Sequence, residues 1–406
     1  MSTDSILAVL DIGSTEIRAV VGRVLEPGKV EVIGFGAVPS VGISRGSVVD
    51  IEANTRVIQK AVEAAREKAG VFPQRVIVGV NGEGLKTFGA SGTVAIMSKD
   101  RGITKDDINR VLRNAAERNV PVEHAVLDRI PCTFQVDQTT GVQDPVGKTG
   151  DLLAAEVFLV TCPRPVLADL ERCIKGANLR VQKFVPTGLA ASLAVLSDEE
   201  KNAGVALVDI GGGTTNVVVY FDGYVIHAEV LTKGGEGITR SIARSLTCSM
   251  ETAAFLKKTY GVAMPEMVTP VETVPVKRLP PRQQKEIPRR VLSEIIEQGL
   301  DEILRDVGRV FHHRELTHRL FAGVILTGGG ALLTGMKEKV ENTLKIETHI
   351  GIPSRLEGFE MVFRNPRFAS VAGLLEYASR DEVQQQTRAP FIFRLLERVA
   401  GLFGYL

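Results

Sequence analysis

The chain has 406 residues, a length that favours two or more domains with sizeable hydrophobic cores. Its 49 Lys and Arg and 48 Asp and Glu residues give a net charge of +1, which excludes nucleic-acid binding driven by bulk charge. The four cysteines form no Cys-x-x-Cys pair, and no signal-peptide pattern opens the chain, so we expect buried thiols in a reducing cytosol. No apolar stretch reaches the ~18 residues that a membrane span requires.

A β-hairpin opens the chain. Ile6–Leu10 is a continuous apolar run, as in a strand covered on both faces, and Ile17–Val24 is a second one. Between them, Asp11-Ile-Gly-Ser-Thr15 predicts a tight turn. The pattern then predicts a helix over Thr55–Gly70 and a buried strand over Val76–Val80.

The same hairpin recurs about half a chain later. Val205–Val208 leads into Asp209-Ile-Gly-Gly-Gly-Thr-Thr215 and then into Asn216–Phe221. This internal repeat predicts two similar α/β lobes, each with an aspartate at the end of its first strand. A third glycine-rich turn, Gly328-Gly-Gly330, follows the apolar run Val324–Thr327.

These turns suit the binding of a nucleotide. Small residues let backbone N–H groups approach a phosphate, hydroxyls add donors, and an aspartate at a strand end can hold Mg²⁺ through water. The third turn would pass flat against an adenine ring or ribose, and a fourth candidate, Gly234-Gly-Glu-Gly237, precedes a helix. The candidate nucleotide-binding residues are Asp11, Gly13, Ser14, Thr15, Asp209, Gly211, Gly212, Gly213, Thr214, Thr215, Gly235, Gly328, Gly329 and Gly330, with Asp11 and Asp209 as the Mg²⁺ candidates.

Two insertions and a tail complete the chain. Leu85–Leu159 carries strands and a helix over Lys105–Arg118 with Thr104 as N-cap, and Tyr224–Arg319 is mostly helical. Ser379–Pro390 is polar and aperiodic, which predicts a flexible tether.

The C-terminal segment has the pattern of an amphipathic helix. At ~1.5 Å per residue it is too short to span a bilayer, so we expect it to lie in the membrane interface and to bind strongly only in many copies. Its apolar face is Phe391, Ile392, Leu395, Leu396, Val399, Leu402 and Phe403, and Arg394 and Arg398 lie on the other face.

The phosphate turns, the Thr-Gly-Gly-Gly turn and two connecting helices, Val185–Leu196 and Pro366–Tyr377, resemble the actin/chaperone/sugar-kinase ATPase superfamily. Within it, Val78–Gly82, the helix start Ile103–Asp107, Lys233–Thr239 and the amphipathic tail are similar to the FtsA family of bacterial actin-like cell division proteins. The resemblance covers nearly the whole chain.

The resemblance implies an α/β, actin-like (ribonuclease H-like), two-lobed ATPase fold that binds ATP and Mg²⁺. It adds Lys257 to the nucleotide site. The implied division is 1–84, about 160–200 and 355–378 for the first lobe; 85–159 for an inserted subdomain; 201–223 and 320–354 for the second lobe; 224–319 for a helical subdomain; 379–390 for a flexible linker; and 391–406 for a membrane-targeting helix.

The resemblance also implies a function in cell division. The protein would polymerise on the cytoplasmic face of the inner membrane at the division site and anchor the FtsZ ring there. The implied partners are anionic lipids, further copies of the chain, other division proteins through 85–159, and the C-terminal tail of FtsZ, with no nucleic acid. The tail would dock on the helix from Arg289 to about Val310, through Arg289, Arg290, Glu294 and Glu297.

Three positions depart from the family pattern. Ala254 stands where many relatives carry a glutamate that meets the ribose, and Gly299 stands where relatives usually carry arginine. The first connecting helix begins Val185-Pro-Thr-Gly, without the Glu or Gln that orients water, so we expect at most slow ATP hydrolysis.

Two other functions fit the superfamily. A PilM-type adaptor of pilus assembly would bind a short peptide and would leave the amphipathic tail without a purpose. A sugar-kinase-type phosphotransferase would need a catalytic aspartate beside a substrate pocket and would also leave the tail unexplained.

Overall fold

The computed structural model describes residues 5–97, 101–280 and 284–388. Its strands are β1 (Ile6–Ile12), β2 (Glu16–Glu26), β3 (Lys29–Pro39), β4 (Ile43–Ser44), β5 (Ser47–Val48), β6 (Arg75–Val80), β7 (Lys86–Ala95), β8 (His124–Val136), β9 (Thr139–Val142), β10 (Leu152–Pro163), β11 (Arg180–Pro186), β12 (Val205–Ile210), β13 (Thr215–Phe221), β14 (Tyr224–Leu231), β15 (Thr273–Val276), β16 (Lys285–Pro288), β17 (Val324–Thr327), β18 (Thr348–Ile350) and β19 (Leu356–Glu357). Its α-helices are α1 (Ile51–Ala69), α2 (Lys105–Asn119), α3 (Arg164–Gly176), α4 (Thr187–Val195), α5 (Asp198–Ala203), α6 (Gly235–Leu246), α7 (Met250–Tyr260), α8 (Arg289–His313), α9 (Met336–Leu344), α10 (Glu360–Phe363) and α11 (Ala369–Arg388).

The first lobe is built on a six-stranded sheet in the order β11-β6-β1-β2-β3-β19. β1, β2 and β3 form an antiparallel meander, whereas β6 runs parallel to β1 and β11 runs parallel to β6. The apolar run predicted for the first strand is covered on both faces, since Val9 and Leu10 are both fully buried. α1 and α3 pack on one face, and α11 packs on the other.

The second lobe repeats this arrangement in a sheet of order β14-β13-β12-β17-β18. β12, β13 and β14 form the meander, and β17 runs parallel to β12 as β6 does to β1. The predicted internal repeat is therefore confirmed. The predicted boundary after residue 223 is wrong, because β14 pairs along β13 and so belongs to this sheet and not to the helical insertion.

The inserted subdomain has its own sheet in the order β7-β10-β8-β9, with α2 against β7 and β10. Thr104 caps α2 as predicted: its hydroxyl accepts from the Asp107 N–H, and the Asp107 side chain accepts from the Thr104 N–H. β10 continues to Pro163, four residues beyond the expected end of the insertion, because it stays paired with β8 to that point.

Two helices, α4 and α11, lie between the two lobes and pack against each other. A Cβ on Gly373 would lie 1.7 Å from the carbonyl oxygen of Ala190, so this crossing requires a glycine. The predicted linker over 379–390 is wrong in its first part. Ser379 is fully buried and the helix runs to Arg388, because the polar residues there are good helix formers and the first proline comes at 390.

Candidate nucleotide-binding site

The first predicted phosphate turn follows β1. The Gly13 N–H donates to the Glu16 carbonyl at 3.2 Å, which closes the turn. A Cβ on Gly13 would lie 2.8 Å from the same carbonyl oxygen, so only glycine fits this close approach. The turn leaves the Ser14 and Thr15 side chains at its tip, where sequence reasoning placed phosphate donors.

The second turn has the same construction after β12. The Gly211 N–H donates to the Thr214 carbonyl at 2.9 Å. The Thr214 hydroxyl accepts from the Asn81 side-chain amide at 2.8 Å, and the Thr215 hydroxyl donates to the Lys233 carbonyl at 2.8 Å. Thr214 and Thr215 are both buried, so their hydroxyls brace the turn from behind.

The two turns lie directly against each other, one from each lobe. A Cβ on Gly212 would lie 1.9 Å from the Thr15 hydroxyl oxygen, and a Cβ on Gly213 would lie 2.4 Å from that of Ser14. The glycines therefore permit an approach that any side chain would block. The sequence predicted both turns, and the structure brings them together across one cleft.

Two carboxylates lie behind these turns. Asp11 and Asp209 are 7% and 5% exposed. Burial raises the pKa of Asp209 to about 6; hydrogen bonds from Asn216 and Ser370 oppose this shift, and the negative charge of Asp11 adds to it. Burial also raises the pKa of Asp11, although the positive charge of Arg18 lowers it. Two buried oxygen ligands that repel each other fit a divalent cation held partly through water.

The third turn packs behind Asp209. Gly328 has φ of 82°, and a Cβ there would lie 2.3 Å from a carboxylate oxygen of Asp209. A Cβ on Gly330 would meet the Ile210 side chain at 2.5 Å, whereas Gly329 faces open space. This turn therefore adjoins the second phosphate turn, as a nucleotide-binding turn should.

The start of α6 is used differently from the prediction. The Gly235 N–H donates to the Gly211 carbonyl at 2.9 Å, and the Glu236 N–H donates to the Gly212 carbonyl at 2.8 Å. These two donors hold the second turn in place and are not directed at a phosphate. Lys257 donates to the Gly235 carbonyl and, at 2.7 Å, to the Thr239 hydroxyl, and burial lowers its pKa to about 8.

Sequence reasoning missed the side chains that hold the two aspartates. Arg18 lies directly opposite Asp11 in the β1–β2 pairing, and Asn216 lies opposite Asp209 in the β12–β13 pairing. The Asn216 amide donates to Asp209 at 3.1 Å, and the Arg18 guanidinium lies 3.3 Å from Asp11. The turn length sets this register, so counting back from each turn would have found both residues.

A further ion pair joins this site to the start of α11. Glu16 accepts from the Arg18 guanidinium at 2.9 Å and from that of Arg367 at 2.7 Å. Arg18 also donates to the Arg367 carbonyl at 2.8 Å. The neighbouring Pro366 carbonyl accepts from the Gly328 N–H at 3.1 Å, so this short segment contacts both lobes.

The four candidate partner-binding residues on α8 fall into two groups. Arg290 and Glu294 are about half exposed and 3.4 Å apart on the surface. Arg289 instead pairs with Glu272 and donates to the Tyr260 carbonyl, and Glu297 pairs with Lys339 at 2.8 Å. Arg289 and Glu297 therefore brace α8 within the subdomain, and Arg290 and Glu294 face solvent.

Helix packing explains the glycine at position 299. A Cβ there would lie 2.7 Å from the side chain of Ile238 on α6, so the glycine lets α6 and α8 pack closely.

The predicted membrane-binding residues, 391–403, lie outside the described residues. Among the helices that the structure does describe, none combines the length and the apolar character needed to cross a bilayer.

Comparison with known proteins decides the family. A curated relative, the cell division protein FtsA of Pseudomonas aeruginosa, is 32% identical over 97% of this chain and 97% of its own length. The chain belongs to the FtsA family. The family model "Cell division protein FtsA" matches residues 206–373, and "SHS2 domain inserted in FTSA" matches residues 82–161, which include β7 to β9 and most of β10.

Solved structures confirm the fold expected of an FtsA-family chain. The PilM-PilN type IV pilus biogenesis complex has a TM-score of 0.66 at 17% identity, covering 92% of this chain and 98% of that one. MreB 5 of Spiroplasma citri bound to AMPPNP has a TM-score of 0.57 at 12% identity, with 96% and 100% coverage. At such identities the likeness shows the actin-like fold alone.

Proposed function

We propose that this FtsA-family chain is an ATP-binding protein that polymerises on the cytoplasmic face of the membrane and anchors the FtsZ ring there at the division site. The observation that carries the proposal is the direct apposition of the two phosphate turns, which places Ser14 and Thr15 of one lobe against Gly212 and Gly213 of the other. A ligand that bridges these turns would bias the lobes towards closure.

ATP and Mg²⁺ fit the residues that line this cleft. Asp11 and Asp209 would hold Mg²⁺ through water, and the bound ion would offset the charge of the phosphates. MreB 5 of Spiroplasma citri, which shares this fold, is bound to AMPPNP in its crystal structure, and this supports the choice of ligand.

Hydrolysis would be slow at most. α4 begins with Thr187 and Gly188, so no carboxylate or amide side chain starts this helix. The Thr187 hydroxyl is buried and makes no hydrogen bond with the residues that the structure describes. A hydroxyl is a weak base for activating water, which leaves ATP as a binding ligand more than a substrate.

Polymerisation would use the inserted subdomain. Its loops expose Met97 and Val122, which are 83% and 90% accessible. A contact with another protein would remove these apolar residues from water, which favours association. We infer that the subdomain contacts the next copy of the chain, in a head-to-tail contact that does not close, and contacts other division proteins.

The FtsZ tail would dock on α8. Arg290 and Glu294 are the exposed members of the candidate set and could pair with charges on a peptide, whereas Arg289 and Glu297 would hold the helix in place. The amphipathic segment 391–406 would attach the filament to anionic lipids, with many weak copies adding to strong attachment.

Co-sedimentation with anionic liposomes tests this function. The full chain and a chain ending at Arg388 would each be spun with liposomes, with and without Mg-ATP. We expect the full chain to pellet, the truncated chain to stay in solution, and ATP to increase the pelleted fraction. A double variant, Leu395→Glu with Leu402→Glu, retains the length and should behave like the truncation. Equal pelleting of all three proteins would contradict the anchor.

A further inference from the structure

A two-residue turn lies against both phosphate turns. Arg45 and Gly46 join β4 to β5, which pair through Ile43 with Val48 and Ser44 with Ser47. Their φ angles are 50° and 79°, so both residues are left-handed, as in the turns that close the tightest hairpins. The hairpin stands just before α1 in the chain and lies beside both phosphate turns.

The turn touches each wall of the cleft. The Gly46 N–H donates to the Ser14 hydroxyl at 3.2 Å. A Cβ on Gly213 would lie 3.0 Å from the Cα of Arg45, and a Cβ on Gly46 would lie 2.6 Å from the Cα of Gly82. Arg45 is therefore held between the first turn, the second turn and the end of β6.

Arginine is an unusual residue for this position. Such turns favour Asn-Gly, because a left-handed backbone is unfavourable for most residues that carry a Cβ. The Arg45 side chain is exposed, and its guanidinium makes no hydrogen bond or ion pair with any residue in the described part of the chain. Strain at a residue beside a candidate binding site is a signature of function.

We propose that Arg45 is a phosphate-contacting residue, whose guanidinium pairs with the terminal phosphate of ATP bound between the two turns. A guanidinium matches a phosphate with two parallel hydrogen bonds, and a long side chain rooted beside Ser14 and Gly213 can reach the cleft. ADP lacks the terminal phosphate, so Arg45 would make the protein prefer ATP. This inference rests on the proposed nucleotide-binding function.

The decisive variant is Arg45→Asn, because asparagine suits the left-handed turn and removes only the charge and the long side chain. The full chain would be titrated with ATP and with ADP in the presence of Mg²⁺, and the melting temperature would be measured without nucleotide. A lost charged hydrogen bond corresponds to about a 10- to 100-fold loss of ATP affinity. We expect this loss for ATP, about a twofold change for ADP, and an unchanged or higher melting temperature.

Arg45→Lys and Arg56→Asn complete the test. Lysine keeps the charge and should restore part of the ATP affinity, and Arg56, an exposed α1 arginine 3.8 Å from Glu52, should not affect either nucleotide. If Arg45→Asn binds ATP as the wild type does, Arg45 is only a solvated turn residue and the proposal is wrong. Equal losses for both nucleotides with a lower melting temperature would also overturn it. A wild-type chain that binds neither nucleotide would instead contradict the proposed function.

Discussion

The guanidinium of Arg18 lies 3.3 Å from the carboxylate of Asp11, its direct neighbour across β1 and β2. The second lobe repeats this geometry with Asn216 opposite Asp209, so one aspartate faces a cation and the other faces a neutral amide. The two halves of the cleft therefore have the same backbone pairing but differ in the charge of the residue opposite the aspartate. Burial is the main cause that raises the pKa of Asp209 to about 6, and burial also raises the pKa of Asp11, where the charge of Arg18 opposes the shift.

Replacing Arg18 tests this ion pair. Arg18→Gln leaves Asp11 buried without its cation and also removes the ion pair with Glu16, so we expect the free energy of unfolding to fall by about 3–5 kcal/mol. The ion pair of Arg56 with Glu52 is a matched control, because both partners are mostly exposed and Arg56→Gln should cost less than about 1 kcal/mol. Urea unfolding of the three proteins measures both values. A loss at Arg18 no larger than the loss at Arg56 would show that the pair contributes nothing.

Gly299 and Gly308 lie on the same helix and should respond in opposite directions. A Cβ on Gly299 would press on Ile238 at 2.7 Å, so Gly299→Ala should destabilise the protein by about 1–3 kcal/mol despite the better helix propensity of alanine. A Cβ on Gly308 would meet Leu344 at 3.5 Å, an ordinary contact, so Gly308→Ala should stabilise it by up to about 1 kcal/mol. Thermal and urea unfolding would compare the variants, and a stabilising Gly299→Ala would disprove the close packing of α6 on α8.

Lys257 should give stability a dependence on alkaline pH. Burial and the charge of Lys258 lower its pKa to about 8 from the usual 10.5, while Glu236 opposes the shift. Below pH 8 the folded protein therefore bears the cost of a buried charge, and that cost disappears as pH rises from 8 to 10.5. Relative to Lys257→Met, the wild type should gain about 2–3 kcal/mol over this interval.

The measurement is the difference in unfolding free energy between the two proteins at pH 7 and at pH 10. Comparing them at each pH removes the alkaline effects that they share. Lys60→Met, which removes an exposed lysine of α1 far along the chain from Lys257, serves as the control. A difference that stays constant with pH would mean that Lys257 titrates normally.

Closure of the cleft depends on Gly212. Gly212→Ala would place a Cβ 1.9 Å from the Thr15 hydroxyl, so we expect the two lobes to move apart and the affinity for Mg-ATP to fall. The double variant Gly212→Ala with Thr15→Gly removes the colliding group and should restore the separation of the lobes without nucleotide. Inter-lobe fluorescence energy transfer reports that distance. No change in the single variant would show that the turns do not meet in solution.

The sequence alone determined the local features of this chain. The apolar runs, the two Asp-Ile-Gly turns and the capping residue Thr104 each act through neighbours in the chain, so the strands, turns and α2 could be placed before any tertiary contact was known. The repeat of the hairpin predicted two lobes for the same reason. Even the pairing of Arg18 with Asp11 follows from the turn length, because the turn of a hairpin sets the register of its two strands.

The tertiary structure decided which of these residues act together. These contacts join segments that lie up to about 350 residues apart in the chain. They include the contacts of Gly212 with Thr15, of Glu16 with Arg18 and Arg367, and of Arg45 with Gly213. Tertiary contacts also give Arg289 and Gly299 structural roles that the sequence did not predict. Arg289 forms an ion pair with Glu272, and Gly299 packs closely against Ile238. Periodicity and turn chemistry describe a residue and its near neighbours, whereas a cleft forms only where burial brings distant segments into contact.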